Sequence, residues 1–201
     1  MFTSQVLKRF FQISVIALSA FSLSSCVIYW TKTGNAEEPI DNNKILVYGY
    51  LDDSQAPFKF RWGQLRQMLP KTDDPFVDLK LNKQGLFYLE NLPVGSFAIN
   101  SVGGPEGGLS DRTWRWTFPS PANRPEFKLT ELRSTKPGLY FMGAYKIYEA
   151  KKGGFFTNAE YSSLPVDKPS EIEILEQLRE KTKDTKWDKL VVARIQELKK
   201  K

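Results

Sequence analysis

The 201-residue sequence contains no histidine and one cysteine. Lack of histidine removes the commonest general base and metal ligand. It excludes Ser-His-Asp and Cys-His nucleophilic sites and argues against zinc or copper. A single cysteine cannot close a disulfide within the chain, so stability must come from a packed core rather than a disulfide framework. No apolar run is long enough to cross a bilayer. The longest, 10–23, is broken by Gln12, Ser14, Ser19 and Ser22, and a hydrocarbon core of about 30 Å needs roughly 20 apolar residues. Internal repeats and low-complexity tracts are absent. So are a glycine-rich loop leading into a helix and a D-x-D-x-D-G calcium loop. The residues call for no cofactor and no metal.

What is present begins at the N-terminus. Lys8 and Arg9 precede the apolar run, and small residues close it at Leu23-Ser24-Ser25-Cys26. A positive segment, a short apolar segment and a small-residue end make a secretory signal. The alternatives are an uncleaved membrane helix, or a plain signal with a chance cysteine. Leu23-Ser24-Ser25-Cys26 resembles the lipobox of bacterial lipoproteins. The resemblance implies cleavage after Ser25 and acylation of Cys26, palmitate among the acyl chains. One acyl chain binds a bilayer only marginally at roughly 0.8 kcal/mol per buried CH₂, so two or three give a stable anchor. A thiol spent on acylation also leaves no reactive free cysteine. Val27, not aspartate, follows the cysteine, which by resemblance to Gram-negative sorting implies the outer membrane. Tyr29 and Trp30 suit a headgroup layer or an apolar contact with the folded domain.

The formal net charge of +6 is mild. Lys8 and Arg9 leave with the signal, and Lys199-Lys200-Lys201 supplies much of the remainder. A lysine tail is a solvated helix end that complements the helix dipole. A nucleic-acid partner would require a concentrated basic face and is not expected. The expected organisation is a signal peptide over 1–25, a lipidated cysteine with a polar tether over 26–43, a β-sandwich over 44–165, and a helical hairpin over 166–201. As a flexible coil the tether would hold the domain about 20–25 Å from its anchor.

Between 44 and 161 the pattern is β. Residues 45–51 read as a strand ending in a turn at Asp52-Asp53-Ser54. Phe58, Phe60 and Trp62 alternate with polar or small residues, as do Val77, Leu79 and Leu81. Residues 82–85 turn the chain into 86–89. Further strands are expected at 96–102, 114–118, 126–129, 139–148 and 155–161. Glycine, proline and asparagine punctuation between eight or nine short strands points to a mainly β fold, an antiparallel sandwich. Beyond Pro165, Ser170 and Glu173 form a capping box. Ile174, Leu175 and Leu178 recur at helical spacing. Thr185 with Asp188 caps a second helix carrying Trp187, Leu190, Val191, Arg194, Ile195 and Leu198. Packing of the hairpin through Trp187 is favoured over a partner-binding helix.

Residues 85–97, from Gly85-Leu86-Phe87 through Leu92-Pro93-Val94-Gly95 to Phe97, resemble the G-x-F-x-F-x-x-L-P-x-G-x-Y stretch of transthyretin-like and carboxypeptidase-regulatory-like sandwich modules. Phe97 stands where that pattern has tyrosine. Residues 136–143, Lys136-Pro137-Gly138-Leu139-Tyr140-Phe141-Met142-Gly143, look like a strand of small bacterial lipoproteins that share such a sandwich. The resemblance implies a binding, spacing or stabilising module and carries over no catalytic residue.

Two acidic pairs, Asp52-Asp53 and Asp73-Asp74, could serve calcium or glycoside chemistry. Their turn settings instead favour backbone capping. Arg112, Trp114, Arg115 and Trp116, with Trp62 and Tyr145, could build a cation-rimmed aromatic platform for a sugar, a lipid headgroup or a peptide. Strand alternation favours a different outcome, with both indoles of Trp114 and Trp116 buried and Arg115 outside. Residues 103–108 read as a glycine-rich loop, more a connector than a binding loop. The sequence thus points to a non-enzymatic, membrane-anchored envelope module with a protein or glycan partner. A carbohydrate- or peptide-binding adhesin is the alternative, and a carboxylate enzyme ranks last.

Overall fold

The computed structural model describes residues 42–105, 113–118, 130–152 and 160–200. All lie in the second of the two compact units into which the chain divides, Thr31–Lys201. The signal, Cys26, most of the tether, Arg112 and the strand expected at 126–129 fall outside the described residues.

Among the described residues nine strands are followed by two helices: β1 (Lys44–Gln55), β2 (Trp62–Leu69), β3 (Phe76–Leu81), β4 (Leu86–Pro93), β5 (Ser96–Pro105), β6 (Thr113–Thr117), β7 (Glu131–Arg133), β8 (Gly138–Lys151), β9 (Glu160–Pro165), α1 (Glu171–Thr182) and α2 (Lys186–Leu198). The strands form one mixed sheet in the order β6-β5-β2-β3-β4-β1-β8-β9, with β7 also paired to β5. The sheet folds over at β3. Residues 76–79 pair with β2, while Lys80 and Leu81 pair with β4. The two halves therefore share one core, to which β1, β2, β3, β4, β5 and β8 all contribute. The mainly β class and the helical hairpin are as the sequence led one to expect.

From Ile45 to Leu51 strand β1 carries no charged side chain, because both its faces are covered there. Ile45, Val47 and Leu51 enter the core between the sheet halves. Leu46 and Tyr48 enter a second core, roofed by Ile174, Leu175 and Leu178 of α1 and by Trp187, Val191 and Ile195 of α2. Each such fully buried aliphatic side chain contributes roughly 1.5–3 kcal/mol. Ser170 caps α1 through the expected box, its backbone N–H donating to Glu173 Oε2 at 2.7 Å. Thr185 caps α2.

Two bulges set which side chains reach which core. Asn91, at φ 63, lies where two residues of β4, Glu90 and Asn91, oppose one of β1, Leu46, so that Leu92 shares the inner core with Phe87 and Leu89. Gly143, at φ 103, inserts a residue into β8 opposite Tyr48 and Tyr50. Ala144 is thereby placed under the helices, while Tyr145 and Ile147 turn into the inner core.

Several local expectations need correction. The sheet is mixed, because β1 and β8 run parallel. Asp52-Asp53-Ser54 continues β1 rather than ending it. Phe58 and Phe60 are buried but precede β2. Gly103, Gly104 and Pro105 belong to β5, not to a loop. These glycines permit close packing: a Cβ at Gly103 would strike the Trp62 indole, and one at Gly104 the Lys59 carbonyl.

Candidate functional site

The residues singled out from the sequence are distributed over two faces of the β2–β5–β6 region. Trp62, Gly103 and Arg115 stand opposite one another on β2, β5 and β6. The Arg115 guanidinium lies 5.6 Å from the centre of the Trp62 ring. Its Nη2 donates to Gln64 Oε1 at 3.0 Å and Ser101 Oγ at 3.1 Å. The indole is therefore held against the glycine backbone with an arginine beside it. Such an arrangement gives a cation–π contact of roughly 0.5–1 kcal/mol at an exposed site.

Trp114 and Trp116 flank Arg115 along β6 and project to the other face. Trp116 is half-buried against the inner core and meets Tyr161 edge-on at 6.5 Å. Trp114 is 40% exposed and stacks on Phe58 at 6.2 Å with 9° between the planes. Tyr145 is remote from any platform. It is buried, its hydroxyl donates to the Met142 carbonyl at 2.8 Å, and burial pushes its pKa up to about 12.

Both acidic pairs bind backbone. Asp52 Oδ1 accepts from the Ser54 N–H at 2.8 Å. Asp53 accepts from the Phe60 N–H at 3.0 Å and pairs with Lys59. Asp74 accepts from the Phe76 N–H at 3.2 Å. Among the described residues no three Asp, Glu, Cys or His side chains converge to hold a metal, and no helix is long and apolar enough to cross a membrane.

One concavity among the described residues is one the sequence did not single out. An open groove of about 630 Å³ runs between α2 and the β1–β8 pair, within the size range of ligand clefts. Leu139 and Phe141 form one wall, and Leu190 and Ala193 the other. Its floor is a charged network. Tyr48 Oη donates to Glu171 Oε1 at 2.7 Å. Arg194 grips Glu171 with Nε at 3.0 Å and Nη2 at 3.3 Å, and Glu197 with Nη1 at 2.8 Å. Desolvation first, then the hydrogen bond to Glu171, holds the Tyr48 hydroxyl far above its usual range, so it stays a neutral donor. The Glu171 hydrogen bond pushes the Arg194 pKa up, keeping the guanidinium charged. The only sequence signal for this site was the α2 periodicity that included Leu190 and Arg194. Tyr48, Phe141 and Glu171 come from three separate elements, and nothing local marks them as neighbours.

No family model and no curated protein matches the chain. The crystal structure of a DUF3823 family protein from Parabacteroides merdae is similar to it at 14% identity, over 63% of this chain and 60% of that one, with a TM-score of 0.23. The match thus spans less than two thirds of that protein's length.

Proposed function

We propose that the protein is a membrane-anchored lipoprotein whose β domain serves as a non-enzymatic structural or interaction module of the cell envelope, with the outer membrane as its address. The observation that carries this reading is the sequence Leu23-Ser24-Ser25-Cys26, in which the chain's one cysteine closes a short secretory signal. Several features of the domain support it. Two cores bury apolar side chains, so the domain can stand as a packed body on its tether without a disulfide framework. The acidic pairs that an enzyme of carboxylate type would use are spent on backbone N–H groups. Fractionation tests the proposal. The wild-type chain should sediment with membranes and be released only by detergent, whereas Cys26→Ala should not partition with the lipid-anchored fraction. Identical partitioning would refute it.

A second reading, a surface adhesin binding carbohydrate or peptide through Trp62, Arg112, Trp114, Arg115 and Trp116, is favoured by one observation: the Trp114 indole is 40% exposed on β6. Under that reading Trp114→Ala abolishes glycan or peptide capture while leaving the fold intact. Unchanged capture would remove it.

A further inference from the structure

We infer that the outward face of β2, β3 and β6 binds an acidic glycan, a sugar chain that carries carboxylates. The inference rests on the reading of the domain as a ligand binder and narrows it to one face and one ligand class. Trp62, Gln64 and Arg66 point outward along β2, while Gly63, Leu65 and Gln67 turn inward. Asp78 and Phe76 stand across from Gln64 and Arg66 on β3. Arg115 reaches the same face from β6, across Gly103. Two aromatic–arginine pairs result. The Trp62 indole lies on Gly103 with the Arg115 guanidinium 5.6 Å from its ring centre. Phe76, 44% exposed, stands opposite Arg66. Four residues of β2 separate the pairs by about 13 Å, a spacing that suits a chain better than one small molecule.

The charges on this face favour an anion. Arg115 spends Nη2 on two neutral acceptors, Gln64 Oε1 and Ser101 Oγ. Its Nε and Nη1 have no acceptor among the described residues, and Arg66 has no ion pair there. The carboxylates nearby are accounted for. Glu90 is paired with Lys80, and Glu131, across Ala98 from Arg66, with Arg133. Asp78 accepts from the Gln64 amide at 3.2 Å, so two guanidinium groups stand beside one exposed carboxylate. That carboxylate would repel a uniformly anionic surface such as a membrane. An acidic sugar complements every part of the face. Its carboxylate meets the arginines in charge-assisted hydrogen bonds, its hydroxyls donate to Asp78, and its C–H faces lie on the rings. A peptide that extends a sheet needs a free strand edge, whereas β2 is paired on both sides, to β3 and β5.

Labelled hexasaccharides of galacturonic acid, intact and with every carboxyl reduced to an alcohol, test this beside a labelled hexaglutamate peptide. Binding to the full chain carrying Cys26→Ala is read by fluorescence anisotropy. The intact hexasaccharide should bind about tenfold more tightly than the reduced one or the peptide, and more weakly as salt is raised. Arg115→Gln and Arg66→Gln, both at exposed positions, should each weaken it about fivefold, with the circular dichroism spectrum unchanged. Asp78→Ala should weaken it too, although that change removes a negative charge. Trp114→Ala, on the opposite face, should leave it within about twofold. Equal binding of the two hexasaccharides, equal binding of the peptide, tighter binding by Asp78→Ala or indifference to Arg115→Gln would overturn the inference. Capture of the reduced hexasaccharide that is lost in Trp114→Ala but kept in Arg115→Gln would overturn it while leaving the domain a ligand binder.

Discussion

Trp114 and Trp116 sit two positions apart on one strand and have different surroundings. Trp116 packs against the inner core, so Trp116→Ala leaves a cavity between that core and Tyr161. A loss of about 3–5 kcal/mol is expected on urea denaturation. Trp114 retains 40% exposure, and Trp114→Ala should cost only about 1–2 kcal/mol. Equal losses would mean that the two indoles share one environment. Gly103 is a sharper case. Its Cβ would overlap the Trp62 ring and the Trp114 carbonyl, so Gly103→Ala should destabilise by about 1–3 kcal/mol through forced displacement. It should also separate Arg115 from its partners. At this scale alternation correctly separated Arg115 from the two tryptophans. It could not show that Trp62 joins Arg115 rather than them, because that depends on the register of β2 against β5.

The capping box at Ser170 makes the hairpin sensitive to acid. Hydrogen bonds from the Ser170 backbone and side chain hold the Glu173 carboxyl below its ordinary value of 4.5. A carboxyl whose pKa is lowered by folding stabilises the folded form above the unfolded value, and that contribution disappears as pH falls through the folded one. The melting temperature of the wild type should therefore drop more between pH 5 and pH 3 than that of Glu173→Gln. Parallel curves would remove Glu173 from the linkage. The helices were legible because a capping residue and a 3.6-residue apolar spacing are local signals. Strand β2 was not, because its inward positions are Gly63, Leu65 and Gln67, the last buried through a hydrogen bond to the Pro70 carbonyl. That strand offers little apolar alternation to read. The parallel pairing of β1 with β8 was equally hidden. Distant elements choose it, and the bulges at Asn91 and Gly143 shift the period that would reveal it.

At the scale of the whole domain, one sheet folded over itself and roofed by two helices buries Tyr48, Tyr88 and Tyr145 among the described residues. Desolvation is the leading cause that raises each above its ordinary value of 10.0. A raised phenol pKa favours folding until the unfolded chain begins to ionise, so stability should fall as pH climbs past about 10. Denaturant titrations at pH 8 and pH 11 would measure this; equal midpoints would contradict it. The groove over Tyr48 belongs to this scale too, since four elements meet there and no single segment announces it. The central claim concerns the other end of the chain. Metabolic labelling with a fatty-acid analogue tests it most directly. The account predicts label on the wild-type protein and none on Cys26→Ala, whereas equal labelling of both, or of neither, would contradict the lipid anchor.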